Sequence, residues 1–262
     1  MNPDNPGVDT TIDNGLLRVT LNRPTRMNAV TTESLDTVAH AFTTHADDRS
    51  IKAAVLTGTG RAFCTGADLA PHAAAAPPSA ATLEAANCAT AAIRAFPRPV
   101  IAAVNGPAAG VGVSLALACD LTLATESSYF LLAFTKIGLM PDGGATALVA
   151  ASIGRARALK MALLAERLPS PEAVSAGLIA DVYPDDEFAA AVETIVRQLA
   201  NGPADAYRWT KDAVNDATLT ELHNAFARER KGQSKLLASS DFAEGVAAFL
   251  EKRPAVFGTV SS

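Results

Sequence analysis

The sequence predicts an α/β fold in which strand–helix units come first and helices come last. Three observations carry this. Short apolar runs at 16–21, 51–56, 100–104 and 121–124 have the length and pattern of buried strands. Glycine-rich turns near 58–67, 106–112 and 138–144 each follow an apolar segment. From Asp186 onward, helical periodicity fills nearly all of the chain.

The elements follow in order. Residues 1–10 read as a loose polar tail. LLRVTL at 16–21 alternates and reads as a strand, which Asn22-Arg23-Pro24 ends because proline restricts the residue before it. Thr31 and Thr32 are candidate caps of a helix whose apolar face is Leu35, Val38, Ala39 and Phe42. IKAAVL at 51–56 is a buried strand leading to the first glycine-rich turn. Residues 70–81, rich in Ala and Pro, read as a mobile surface segment that holds His72, with a helix resuming near Leu83; a long loop of this kind is often functional. The stretch 99–120 reads as strand, tight loop and buried helix. Residues 130–134 continue a sheet or begin a helix. Helices are expected over 145–151 and 155–166. Ser170-Pro171 places a cap before a first-turn proline, and Gly177 stops that helix. Further helices are expected over 186–200, 203–215 and 219–250.

The chain has 262 residues, enough for one α/β domain of ordinary size or one with a small appendage. Apolar residues make up 49%, which supports a large core and argues against disorder. A net charge of -5 without a basic stripe speaks against a nucleic-acid partner. Cys64, Cys88 and Cys119 show neither Cys-x-x-Cys nor metal-ligand spacing, so no metal site is expected. Their odd number suggests reduced thiols in a cytoplasmic setting. The first residues lack the apolar segment of a signal peptide, and no run has the length of a membrane span, so no membrane partner is expected.

The chemistry centres on 99–120. Gly110 and Gly112, lacking a Cβ, let the backbone turn sharply and approach a ligand. The first N–H groups of the following helix have no partner within it and can face an anion or a polarised oxygen. The same pattern also serves a turn that merely packs a helix on a strand. Three such turns, each after an apolar segment, point to convergence at one end of a sheet. Gly106-x-x-x-Gly110-x-Gly112 is not the dinucleotide fingerprint, and no phosphate-binding Gly-Lys-Ser/Thr occurs. Gly112-Val113-Ser114-Leu115-Ala116 approaches a nucleophile elbow, with Asp142 and His223 in triad order, but Ala116 replaces the second glycine and Ser114 lies in an apolar run.

With these motifs in place, the chain resembles the enoyl-CoA hydratase/isomerase (crotonase) family over nearly its whole length. The matching pieces are VTLNRPTRMNAV at 19–30, VLTGTGRAFCTGADL at 55–69, PVIAAVNGPAAGVGVSLALACD at 99–120, KIGLMPDGGAT at 136–146 and AFLEKRPAVFG at 248–258. The resemblance implies a ββα-spiral core over 1–200 and a helical region over 201–262 that builds trimers, often paired into hexamers. It implies an acyl-CoA thioester as ligand, with CoA part of the substrate and no separate cofactor. It places two backbone N–H groups that hold the thioester oxygen at Ala67 and Val111, the latter where the family usually has glycine. Arg26, Ala29 and Leu69 fall where the family contacts CoA, and Asp68, Gly110 and Phe134 complete the expected substrate-binding set.

The chain departs from the hydratase members at two positions. Their two water-activating glutamates would fall at Ser114 and Phe134. Asp142 remains, where some isomerase members carry a single acidic base, and ring-opening isomerases of aromatic-derived CoA thioesters look similar at this turn. The resemblance therefore implies a double-bond isomerase that removes a proton at C2 of a 3-enoyl-CoA and returns it at C4, with an apolar wall raising the carboxyl's pKa. Glu126 is an alternative acid outside the motifs, and Pro-Asp-Gly is also ordinary turn chemistry. The alternatives behind this reading are a non-catalytic acyl-CoA-binding subunit, or a residual hydratase with a different acid–base group.

Overall fold

The computed structural model describes residues 6–69 and 79–258. The chain begins with a hairpin: β1 (Val8–Asp13) pairs antiparallel with β2 (Leu16–Leu21), from Val8 opposite Leu21 to Asp13 opposite Leu16. Asn14 and Gly15 both take positive φ, the backbone a two-residue hairpin turn requires. The loose tail expected over 1–10 is therefore corrected at its end, where Val8 onward is strand.

A 3-10 turn (Pro24–Arg26) leads to α1 (Thr32–Thr44). Thr31 caps α1, its Oγ1 accepting from Ser34 N at 3.2 Å, and the face with Leu35, Val38 and Phe42 is buried. β3 (Ala53–Gly58) begins two residues later than the sequence pattern suggested, with Ile51 fully buried in the approach to it. Residues 70–78, including His72 and most of the expected mobile loop, lie outside the described residues. α2 (Ala80–Ala95) starts before Leu83.

β4 (Val100–Val104), the two-residue β5 (Ala108–Ala109) and α3 (Val111–Ala118) realise the strand, turn and buried helix read in 99–120. After β6 (Leu121–Thr125), residues 129–137 do both things the sequence left open: β7 (Tyr129–Leu131) is followed by a 3-10 turn (Ala133–Ile137). α4 (Ala145–Leu164) is broken by Gly154, whose backbone is non-helical, so the two expected helices abut there. β8 (Leu168–Pro169) precedes α5 (Ser170–Ala176). The cap position of α5 is Pro169, not Ser170, because the Ser170 hydroxyl turns inward to Ser128 Oγ at 2.6 Å.

β9 (Asp181–Tyr183), α6 (Phe188–Ala200) and α7 (Ala204–Thr218) come next. The pattern over 219–250 is two helices, α8 (Leu222–Leu236) and α9 (Ser240–Glu251), because Ser239 caps a new helix by accepting from Phe242 N. Among the described residues no helix is long and apolar enough to cross a membrane.

The main sheet runs β1-β2-β3-β4-β6-β9, parallel from β2 onward; a small sheet, β5-β7-β8, stands apart. Side chains alternate between the two faces of a strand. Leu56, Ala102 and Val104 face the main core shared with α1, α2 and α3, while Val55, Ile101, Ala103 and Leu123 face α6 through Phe188, Val192 and Val196. Both faces of the sheet are thus covered, as parallel strands require. The turns that follow β3, β4 and β7 carry the residues of interest.

Candidate active site

The loop after β3 is fixed first. Val30 N donates to Gly66 O and Asp68 N to Val30 O, both at 2.9 Å, so Ala67 forms a parallel bridge with Val30. Arg23 locks the same corner, donating to Ala29 O at 2.5 Å and pairing with Asp68 at 2.8 Å. Gly66 (φ +100°) and Gly110 (φ +54°) face each other so closely that a Cβ on Gly66 would lie 3.2 Å from Ala109 O. Only glycine tolerates both the backbone and the contact. The loop after β3 and the N-terminus of α3 therefore meet, with Ala67 and Val111 following the two glycines. Val111 is the first residue of α3, so its N–H has no acceptor within the helix. Neither the Ala67 nor the Val111 N–H donates to an acceptor among the described residues.

The third turn carries Asp142. It is held by α8, from the far end of the chain. Gln233 accepts from Met140 N at 3.1 Å, and its Nε2 donates to Met140 O at 3.0 Å and to Asp142 Oδ2 at 2.7 Å. The Met140 N–H can only donate, so the facing atom is Oε1 and the amide nitrogen necessarily turns to Asp142. One turn earlier on α8, Glu229 is fully buried and accepts from Gly144 N at 2.7 Å, Thr146 N at 3.0 Å and Thr146 Oγ1 at 2.5 Å. α4 has no side-chain cap of its own, so Glu229 supplies one from another helix and sets a negative charge at its positive end. Ser114 Oγ donates to Asp142 O at 2.8 Å, and Thr90 Oγ1 to Gly143 O at 2.9 Å.

These groups set the charge state of Asp142. Burial pushes its carboxyl up to about 7, the Gln233 hydrogen bond opposes this, and the nearby Glu229 carboxylate adds to it. Glu229 itself is raised, chiefly by burial and against its three donors.

The nine residues that the resemblance assigns to the site border one cavity of about 560 Å³: Arg26, Ala29, Ala67, Asp68, Leu69, Gly110, Val111, Phe134 and Asp142. The three glycine-rich turns contribute to its wall, as their repetition suggested. Arg26 and Lys136 are its cationic residues; Leu35, Leu83, Leu139 and Phe134 are apolar. The Phe134 ring lies against Gly110, its Cζ 3.9 Å from where a Cβ would stand there. Ser114 is fully buried beneath the Asp142 turn, with its hydroxyl committed to a carbonyl. His223 stands on α8, beside the buried Leu222 and apart from the cavity-lining residues, so the triad order in the sequence is not assembled at the cavity. Gln233 borders the cavity and Glu229 stands behind it; neither belongs to a motif, and their four-residue spacing on α8 is the only sequence sign they leave.

A largely parallel sheet, two meeting glycine turns and a carboxyl raised toward neutral pH beside one cavity define a class, and comparison with known proteins gives it a family. Residues 11–259 match the enoyl-CoA hydratase/isomerase family. The chain belongs to that family, the crotonase family of acyl-CoA enzymes, and has its fold. It is 42% identical to a probable enoyl-CoA hydratase of Rhodobacter capsulatus, over 94% of this chain and 95% of that protein. It is 37% identical to the 1,2-epoxyphenylacetyl-CoA isomerase of Escherichia coli K12, over 94% of this chain and 96% of that one. The crystal structure of an enoyl-CoA hydratase from Mycobacterium avium subsp. paratuberculosis K-10 superposes with a TM-score of 0.91 at 49% identity, over 96% of this chain and 98% of that one.

Proposed function

We propose that this enzyme is an acyl-CoA isomerase that moves a proton between two carbons of its thioester substrate, with Asp142 as the single base and acid. The observation that carries this reading is the environment of Asp142: a half-buried carboxyl whose pKa desolvation raises to about 7, beside the fully buried Ser114 and the buried Phe134, which fall where the resemblance puts the two hydratase glutamates. A base of this kind takes a proton from C2 of a 3-enoyl-CoA as the electron pair moves onto the thioester carbonyl. The N–H groups of Ala67 and Val111 then hold the enolate oxygen. Fixed donors at the site of developing charge are worth about 3–4 kcal/mol each in comparable enzymes. The electron pair returns through the double bond, and Asp142 delivers its proton to C4. Phe134 and the surrounding aliphatic side chains exclude water, so the intermediate is reprotonated and not hydrated. Arg26, Ala29, Asp68, Leu69 and Gly110 shape the CoA end and thioester seat.

The likeness to the epoxyphenylacetyl-CoA isomerase favours a second substrate within the same reaction class, an epoxide of an aromatic acyl thioester. The test pairs 3-enoyl-CoA with 2-enoyl-CoA on wild type and Asp142→Asn, followed by product mass and by absorbance of the conjugated thioester. Conversion of 3-enoyl to 2-enoyl without gain of mass, lost at least 1,000-fold in Asp142→Asn with CoA binding retained, is expected. Full activity of the variant, or rapid addition of water to 2-enoyl-CoA, would overturn it.

A further inference from the structure

Val111 opens α3 and is 4% exposed, so its isopropyl group is packed and not in solvent. It packs on the turn that carries the base. Val111 Cγ2 lies 3.4 Å from where a Cβ on Gly143 would stand, and Ser114 Cβ lies 3.1 Å from the same point. Val111 and Ser114 are three residues apart and share a face of α3. Ser114 Oγ fixes the adjoining Asp142 by donating to its carbonyl at 2.8 Å. Gly143 O is held in turn by Thr90 Oγ1 of α2 at 2.9 Å.

Val111 therefore joins the thioester seat to the base. Its N–H, beside Gly110, has no acceptor among the described residues. Its side chain meets Gly143, the residue after Asp142. Val111, Asp142, Gly110 and Phe134 all border the cavity. Phe134 closes the Gly110 side, its Cζ 3.9 Å from where a Cβ on Gly110 would stand. A β-branched side chain in a helix has one strongly preferred rotamer, so the isopropyl group has little freedom to swing aside.

We propose that the Val111 side chain is a specificity determinant: it admits acyl groups unbranched at C2 and rejects those that carry a substituent there. This rests on the acyl-CoA reading of the cavity and deepens it. In that reading the thioester oxygen sits on the Val111 N–H, C2 is two bonds from that oxygen, and Asp142 reaches a proton on C2. C2 thus lies in the interval that the isopropyl group spans between α3 and Gly143. Two hydrogens fit beside it, whereas a methyl group competes with the γ-methyls for the same space. Overfilling a packed site forces side chains off their rotamers and shifts the backbone. Here such a shift would move the N–H donor or Asp142, and both depend on fixed geometry. Substituents at C4 and beyond leave this corner and escape Val111.

The experiment measures binding of saturated thioesters, so that it does not depend on turnover. Calorimetry on wild type, Val111→Ala and Val111→Thr would compare hexanoyl-CoA with each enantiomer of 2-methylhexanoyl-CoA and with 4-methylhexanoyl-CoA. Wild type is expected to bind at least one 2-methyl enantiomer about 10-fold or more weakly than hexanoyl-CoA. Val111→Ala keeps the N–H but removes both γ-methyls, and is expected to lose most of that difference. Val111→Thr keeps the branched shape and is expected to retain it. The ratio for 4-methylhexanoyl-CoA is expected to be the same in all three proteins. Thermal melts of both variants check that they fold. Equal binding of hexanoyl-CoA and both 2-methyl enantiomers by wild type, a full preference surviving in Val111→Ala, or a 4-methyl ratio that moves with the 2-methyl ratio would overturn the assignment. Failure of the isomerase reading shows separately, as wild type that binds these ligands with the stated preference yet turns over no enoyl-CoA.

Discussion

At the scale of single residues, Asp142 has two pH-dependent consequences of opposite usefulness. Its ordinary value is 3.8 and burial lifts it to about 7. Only the ionised carboxylate can take a proton from carbon, so kcat/KM for isomerisation should rise with pH and reach half its plateau near 7. Stability moves the other way. Between the unfolded and folded values, the folded chain holds a proton that the unfolded chain has released. The folded state binds more protons there, so stability falls as pH rises through that window. Asp142→Asn stays neutral and lacks this loss. Urea titrations at about pH 4 and pH 8 should show wild type losing roughly 4 kcal/mol relative to Asp142→Asn. Parallel stability curves for the two proteins would mean that Asp142 is ionised at its ordinary value and that the cavity is wetter than its lining suggests.

At the scale of elements, α8 governs the turn that carries the base. Gln233 donates to Asp142 and favours its charged form; Glu229 opposes that charge through space. Gln233→Leu removes the donor and should move the acidic limb of the kcat/KM profile to higher pH, by about one unit. Glu229→Gln removes the charge while keeping a carbonyl to cap α4, and should move the limb to lower pH. Two substitutions four residues apart with opposite shifts would be hard to produce by loosening alone, since a merely structural role changes rates without moving the limb. The sequence made one side of this arrangement legible. Asp142 sits in a short glycine-rich turn whose chemistry is local, as do Ala67 and Val111. Gln233 and Glu229 act across 83 to 93 residues of chain. Their helix is polar along most of its length, so buried and exposed polar positions look alike in the pattern. Among the strands, 16–21 and 100–104 showed their boundaries through flanking asparagine and proline. β8 and β9, of two and three residues, are defined by pairing and carry too little periodicity to be seen.

At the scale of the whole molecule, strands stop at Tyr183 and helices follow, but side chains of the terminal helices reach back at two depths. α8 reaches Asp142. α7 reaches the start of β4, where Lys211 Nζ donates to Phe96 O at 2.8 Å, Arg98 O at 3.1 Å and Asp120 Oδ2 at 2.7 Å. That same Asp120 oxygen accepts from Val100 N at 2.8 Å, so one carboxylate joins the beginning of β4 to the end of α3. Burial raises Asp120 against these partners, so losing the Lys211 charge would strand a carboxylate away from water. Breaking one side of such a pair costs about 3–5 kcal/mol. Lys211→Met should therefore lower the melting temperature by several degrees, and Lys211→Met with Asp120→Asn should recover much of the loss, since the two sites share one network. The form of the melt matters more than its midpoint. Because the helices of 204–251 hold the two ends of the segment that builds the cavity, wild type should unfold in one step, with ligand binding and helix signal lost together. A variant melt in which the terminal helices leave first, at a temperature where the sheet and acyl-CoA binding persist, would show that they are a separate cooperative unit. Asp142 could then be oriented without α8, and the positioning assigned to Gln233 and Glu229 would fall with it.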